Sequence, residues 1–143
     1  MTSVTEVAFG DMREQPPLRI LLVEDDPNDA ELMQACLAEA ARSGAELIHV
    51  GTLAEGLRAL QIHSFDVAVI DLDLPDSFGF DTLDQFSAAA RVPIIVVTGN
   101  PHPALVPEAL KRRAYEVVRK SELDAVALMR IVRRASLRDQ PER

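Results

Sequence analysis

Apolar residues in this chain fall into short, nearly unbroken runs, and the longer stretches between them carry helical spacing. Leu21-Leu22-Val23, Val67-Ala68-Val69-Ile70, Ile94-Ile95-Val96-Val97 and Val117-Val118 are runs of the kind carried by strands buried on both faces. The pattern predicts strands at residues 18–23, 46–50, 66–70, 93–97 and 115–119. Asp26-Pro27 supplies a cap and a proline at the first helical position, opening a helix to about residue 41 with Ala30, Met33, Leu37 and Ala40 on one face. Ser43-Gly44 ends it, and Thr52-Leu53-Ala54-Glu55 matches a capping box for a helix running to about residue 62. A loop over 71–80, holding Pro75 and Gly79, leads to a third helix at 81–88. The last helix is expected from near Ser121 to about Leu137, with Leu123, Val126, Met129 and Val132 packing inward.

Pro101, Pro103 and Pro107 disturb the segment after the fourth strand, because an interior proline removes a backbone donor and clashes with the preceding turn. Residues 99–106 are therefore expected to be mainly irregular, with a fourth helix from near Pro107 to about Arg113. Five strands separated by helices imply a single-domain α/β fold, a parallel sheet with helices on both faces. Residues 1–17 have no sustained period and end in Pro16-Pro17, so they read as an N-terminal extension; the core spans 18–137 and 138–143 is a tail.

Composition narrows the function classes. Hydrophobic residues make up 48% of 143, ample for a folded core, and almost all are aliphatic since aromatics are 4%. A net charge of −8 argues against a general nucleic-acid binder. The last third is nevertheless locally basic through Lys111-Arg112-Arg113, Arg130, Arg133, Arg134 and Arg138, which read as a solvated helix end or a docking patch. The single Cys36 cannot form an internal disulfide, and its helical neighbours predict a buried thiol; both fit a reducing cytoplasm. No stretch has the length of a membrane helix and the polar N-terminus carries no secretion signal, so the chain reads as cytoplasmic.

The candidate chemistry lies where the apolar runs stop. Asp71 follows four aliphatic residues and should emerge at the C-terminal edge of a buried strand, the edge where open α/β sheets bind ligands. Glu24-Asp25-Asp26 leaves the same edge after the first strand, Thr98 after the fourth and Lys120 after the fifth. An acidic cluster, a lone Asp, a hydroxyl and a cation suit metal-assisted phosphoryl chemistry. Plainer roles exist for each: Asp25 and Asp26 as helix caps, Asp73 and Asp76 as solvated loop residues, Thr98 and Lys120 as ordinary strand-end residues.

The segment Asp66-Val67-Ala68-Val69-Ile70-Asp71, with Pro75 and Gly79 four and eight residues after Asp71, resembles the phosphoacceptor segment of response-regulator receiver domains. Glu24-Asp25-Asp26, Thr98-Gly99 and Lys120, twenty-two residues after Thr98, repeat that family's other strand-end positions. The resemblance implies a doubly wound, flavodoxin-like sheet in strand order 2-1-3-4-5. It implies that Asp71 takes a phosphoryl group from a histidine kinase or histidine phosphotransfer protein. Mg²⁺ would be held by Asp25, by Glu24 mainly through water, by Asp71 and by the backbone carbonyl of Asp73, with Lys120 and Thr98 contacting the phosphoryl oxygens. Two departures stand out. In the segment before Lys120, Arg113-Ala114 stands where the family usually has Gly-Ala, and Val117 occupies the position of a switching aromatic ring, with Tyr115 two residues earlier and, by alternation, on the same strand face. The second is the proline-rich stretch 99–108, where the family usually starts helix four soon after the Thr.

The expectation is a stand-alone receiver without an output domain, a signalling protein rather than an enzyme, acting through an unknown downstream partner. A homodimer through the helix 4–strand 5–helix 5 surface, or through helices 1 and 5, is left open. Two rivals remain. One is a receiver-like interaction module that works without phosphorylation. The other is a small phosphatase of the haloacid-dehalogenase type, which Asp71-Leu72-Asp73 resembles, though no Asp-Asp pair follows it.

Overall fold

Residues 18–42, 44–99 and 102–139 are described by the structure, a computed structural model. Five strands form one parallel sheet: β1 (Arg19–Val23), β2 (Glu46–Val50), β3 (Val67–Asp71), β4 (Ile94–Thr98) and β5 (Ala114–Arg119), in the order β2-β1-β3-β4-β5. The helices between and after them are α1 (Pro27–Arg42), α2 (Leu53–Ile62), α3 (Phe80–Ala89), α4 (Leu105–Lys111) and α5 (Ala125–Asp139). The expected flavodoxin-like order is therefore the observed one. Residues 1–17 and 140–143, assigned from sequence to an extension and most of a tail, lie outside the described residues.

β1, β3 and β4 are the most deeply buried strands, and alternate residues feed two cores, as a sheet covered on both faces requires. Leu21, Val23, Ala68, Ile70, Ile94 and Val96 pack with Leu53, Leu83 and Phe86 of α2 and α3. Ile20, Leu22, Val67, Val69, Ile95 and Val97 pack with Met33 and Leu37 of α1 and Leu128 and Val132 of α5. Gly56 permits a tight α2 crossing, since a Cβ there would meet Val23 at 3.0 Å and Phe86 at 3.4 Å. Cys36 is buried in the second core, and burial pushes its thiol pKa up.

The helix starts follow the side chains that cap them. Asp26 Oδ1 accepts the backbone N–H groups of Asn28 and Asp29, so Asp26 caps α1 as expected. In α2, the Thr52 hydroxyl accepts the N–H of Glu55, and Glu55 Oε1 reaches back to the N–H of Gly51.

Several expectations need correction. α4 starts at Leu105, before Pro107, because Pro107 falls in the first turn, where a backbone N–H has no intrahelical partner to lose. Buried Leu105 anchors that turn. α3 begins one residue early, at Phe80. The last helix does not start at Ser121. Lys120–Glu122 is a 3₁₀ turn, and Asp124 Oδ1 accepts the N–H of Ala127, so α5 opens at Ala125. That phase leaves Val126 67% exposed and turns Leu128 inward instead.

A β-bulge overturns the expected placement of Tyr115. Ile94 pairs with Ala114 but Ile95 pairs with Glu116, so β5 carries one extra residue against β4. Tyr115 consequently packs against the α1–α5 core and Val117 against the α2–α3 core, on opposite faces.

Candidate functional site

Register fixes which side chains meet. Val23 pairs with both Val50 and Ile70, Asp71 with Val97, and Thr98 with Arg119. The residues at and just after these ends therefore gather along one edge of the sheet. Asp71 is the last residue of β3, Glu24 follows β1, Thr98 ends β4 and Lys120 follows β5.

Lys120 is the hub. Its Nζ lies 2.9 Å from Asp71 Oδ2, 2.9 Å from Glu24 Oε1 and 2.6 Å from Asp29 Oδ2. Burial alone would lower the ammonium's pKa, but the carboxylates of Asp29, Asp71 and Glu24 outweigh it and hold Lys120 above the ordinary lysine range. Glu24 has no exposed surface, and burial pushes its carboxyl up to about 7, against the pull of Lys120 and with repulsion from Asp71 added. Glu24 Oε1 is close to the ammonium yet receives no well-directed hydrogen bond. His49 Nε2 donates to the backbone carbonyl of Glu24 at 2.8 Å, fixing the strand end that carries it.

Carboxylate oxygens of Glu24, Asp25 and Asp71 all lie within 4.8 Å of one another, two of the residues buried and Asp25 exposed. Hard oxygen donors at that spacing, with a buried carboxylate oxygen lacking a directed partner, suit Mg²⁺, which retains several waters and needs few protein ligands. Asp73 opens a short hairpin, Asp73–Leu74 paired with Ser77–Phe78, where the sequence pattern predicts loop. The Asp73 N–H donates to Asp71 Oδ1 at 3.0 Å, which fixes the Asp71 carboxylate through the oxygen that Lys120 does not hold. Gly79, at φ +67, closes this segment by donating its N–H to the Leu72 carbonyl. A cavity of about 460 Å³ lies between this hairpin and the β4–α4 segment, lined by residues including Asp73, Phe78, Phe80, Thr98, His102 and Leu105. Thr98 is itself buried.

Three residues have tasks that the sequence did not announce. Asp76, expected to be solvated, accepts the N–H groups of Leu53 and Ala54 at 2.8 and 2.9 Å, tying the hairpin to the start of α2. Arg112, within the basic stretch, pairs with Asp84 and Glu108 and lies over the Phe80 ring, so it braces α4 against α3. Asp29 joins the Lys120 cluster from the first turn of α1. Among the described residues, no helix is long and apolar enough to cross a membrane.

Comparison with known proteins agrees with this fold. The family model for the response regulator receiver domain matches residues 20–133. The transcriptional regulatory protein KdpE of Mycobacterium tuberculosis is 30% identical over 101 residues, covering 71% of this chain but 43% of the relative. The chain thus spans less than half the length of that curated relative. A CheY-like receiver domain protein from Methanospirillum hungatei JF-1 superposes with a TM-score of 0.76 at 24% identity, covering 88% of this chain and 98% of the other. The receiver domain of the sensor histidine kinase PA1611 from Pseudomonas aeruginosa PAO1, whose structure holds a magnesium ion in its active-site cleft, gives a TM-score of 0.70 at 26% identity over 83% of this chain and 97% of that one.

Proposed function

This chain belongs to the response regulator receiver domain family, and on that premise we propose that Asp71 is its phosphoacceptor, drawing a phosphoryl group from a histidine kinase or histidine phosphotransfer protein. The observation that carries the reading is the position of the Asp71 carboxylate, held by the Asp73 N–H on one oxygen and Lys120 on the other, beside Glu24 and Asp25. An Asp71 oxygen attacks the phosphorus of a phosphohistidine, the P–N bond breaks, and the imidazole leaves with the electron pair. Mg²⁺, when bound by Glu24, Asp25, Asp71 and the Asp73 carbonyl, supplies charge that lets two anions approach. Lys120 would neutralise the transferring oxygens, and the Thr98 hydroxyl would hydrogen-bond a phosphoryl oxygen.

The product is a signal rather than a released chemical, so the protein is read as a cytoplasmic phosphoprotein whose output is contact with another protein. The receiver unit is assigned to residues 18–137, and KdpE extends well beyond the part that this chain matches. An aspartyl phosphate is an acyl phosphate. A label introduced with Mg²⁺ and a small phosphodonor should therefore be released by neutral hydroxylamine, whereas a hydroxylamine-stable label would point to a serine or threonine ester and against this reading.

A second reading, an interaction module independent of phosphorylation, draws on Val117. That side chain is partly buried in the α2–α3 core and has no ring to exchange between buried and exposed positions. The intact Lys120–Asp71–Glu24 cluster favours the first reading.

A further inference from the structure

Lys120 holds a third carboxylate that phosphoryl transfer leaves without a task. Asp29 Oδ2 is 2.6 Å from Nζ, nearer than Asp71 Oδ2 or Glu24 Oε1, each at 2.9 Å. An acid in the first turn of a helix is favoured by the dipole alone, which gives Asp29 a plain structural role on α1. Its side chain nonetheless turns toward an ammonium that is itself mostly buried, and remains one-third exposed.

The ammonium donates directed hydrogen bonds to Asp29 and Asp71, and Glu24 Oε1 lies 2.9 Å from it without one. A phosphoryl oxygen approaching Lys120 therefore competes with these carboxylates for the ammonium. Asp71 is the acceptor itself, and Glu24 belongs to the carboxylate group suited to a metal ion. Asp29 has neither competing demand, so it is the anion that keeps its hold on the ammonium while the phosphoryl group is present. Resting on Asp71 as the phosphoacceptor, we propose that Asp29 is a positioning residue, a competing anion that draws Lys120 toward α1 and so slows both formation and hydrolysis of the acyl phosphate. Both reactions gather negative charge on the phosphoryl oxygens, so weakening their share of one cation slows both.

Asp29→Asn keeps the shape and removes the charge. At saturating Mg²⁺, with a small acyl phosphate as donor, the rates of phosphoryl incorporation and loss should each rise about fivefold, the scale of a partly exposed ion pair. In a Lys120→Met background the same substitution should change neither rate. Unchanged or slower rates, or an acceleration that persists without Lys120, would each overturn the proposal. Wild-type protein that takes up no phosphoryl group would instead remove the reading on which the proposal rests, an outcome distinct from labelled wild type whose rates Asp29→Asn leaves unmoved.

Discussion

Lys120 Nζ stands 2.9 Å from Glu24 Oε1, and Glu24 is a carboxylate with no exposed surface. A buried carboxylate this close to a shared cation is a poor anion until more positive charge arrives, and that gives the site a pH dependence. Burial raises the Glu24 pKa from 4.5 to about 7 in the metal-free fold. Between those values the folded state binds more protons than the unfolded chain, so this group's contribution to stability falls as pH rises. The melting temperature of metal-free protein should therefore decline between about pH 5 and pH 8, beyond the drift of a Glu24→Gln variant. Mg²⁺ binding near pH 7 should release protons, and its stabilising effect should grow with pH. Calorimetry in buffers of different ionisation enthalpy measures the release directly; none at pH 7 would contradict the burial argument.

Asp76 should behave as a remote helix cap. Asp76→Ala removes both acceptors from the Leu53 and Ala54 N–H groups and should cost about 1 kcal/mol. Those backbone hydrogen bonds, Ala54 first, hold the Asp76 pKa below its ordinary value. The contribution is therefore present at neutral pH and is lost as pH falls through that lowered pKa. Urea unfolding at neutral pH checks the first expectation, and faster amide exchange at Leu53 and Ala54 checks its location.

Arg113 sits at φ +80 directly after α4, a conformation that costs a side chain with a Cβ roughly 1 kcal/mol or more. Arg113→Gly relieves that strain but gains unfolded-state freedom and loses a long contact, 3.4 Å, to the Ser87 carbonyl. The net should be a gain of roughly 0.5 kcal/mol, read as a higher urea midpoint at unchanged slope. A loss of stability would mean that the Ser87 contact outweighs the backbone strain.

Signal output should travel through Thr98 rather than Val117. Val117 is β-branched, restricted in χ1 and packed against the α2–α3 core. Thr98→Ala should leave phosphorylation of Asp71 largely intact while uncoupling partner binding. Amide exchange should differ most between phosphorylated and unphosphorylated protein at Thr98, Gly99 and the residues leading into α4, with little change at Val117. Differences centred on β5 would contradict this route.

Asp71 and Lys120 were legible in the sequence because Asp71 ends the aliphatic strand β3 and Lys120 directly follows β5, which fixes their edge without any knowledge of the loops. The sheet order was legible from the family resemblance. Tyr115 was misplaced because one inserted residue inverts the alternation after it, and nothing in Ala114-Tyr115-Glu116 announces a bulge. Val126 was misplaced because Asp124, rather than Ser121, caps α5, shifting the inward stripe to Leu128. Asp29 was missed because a first-turn acid already has a local explanation, while its contact to Lys120 spans 91 residues of sequence.

The most direct measurement is intact mass after incubation with a small phosphodonor, with and without Mg²⁺, for wild type and Asp71→Asn. Wild type should gain one phosphoryl group only when Mg²⁺ is present, and Asp71→Asn should gain none. Equal labelling of the two proteins, or labelling of wild type that ignores Mg²⁺, would contradict Asp71 as a metal-assisted phosphoacceptor.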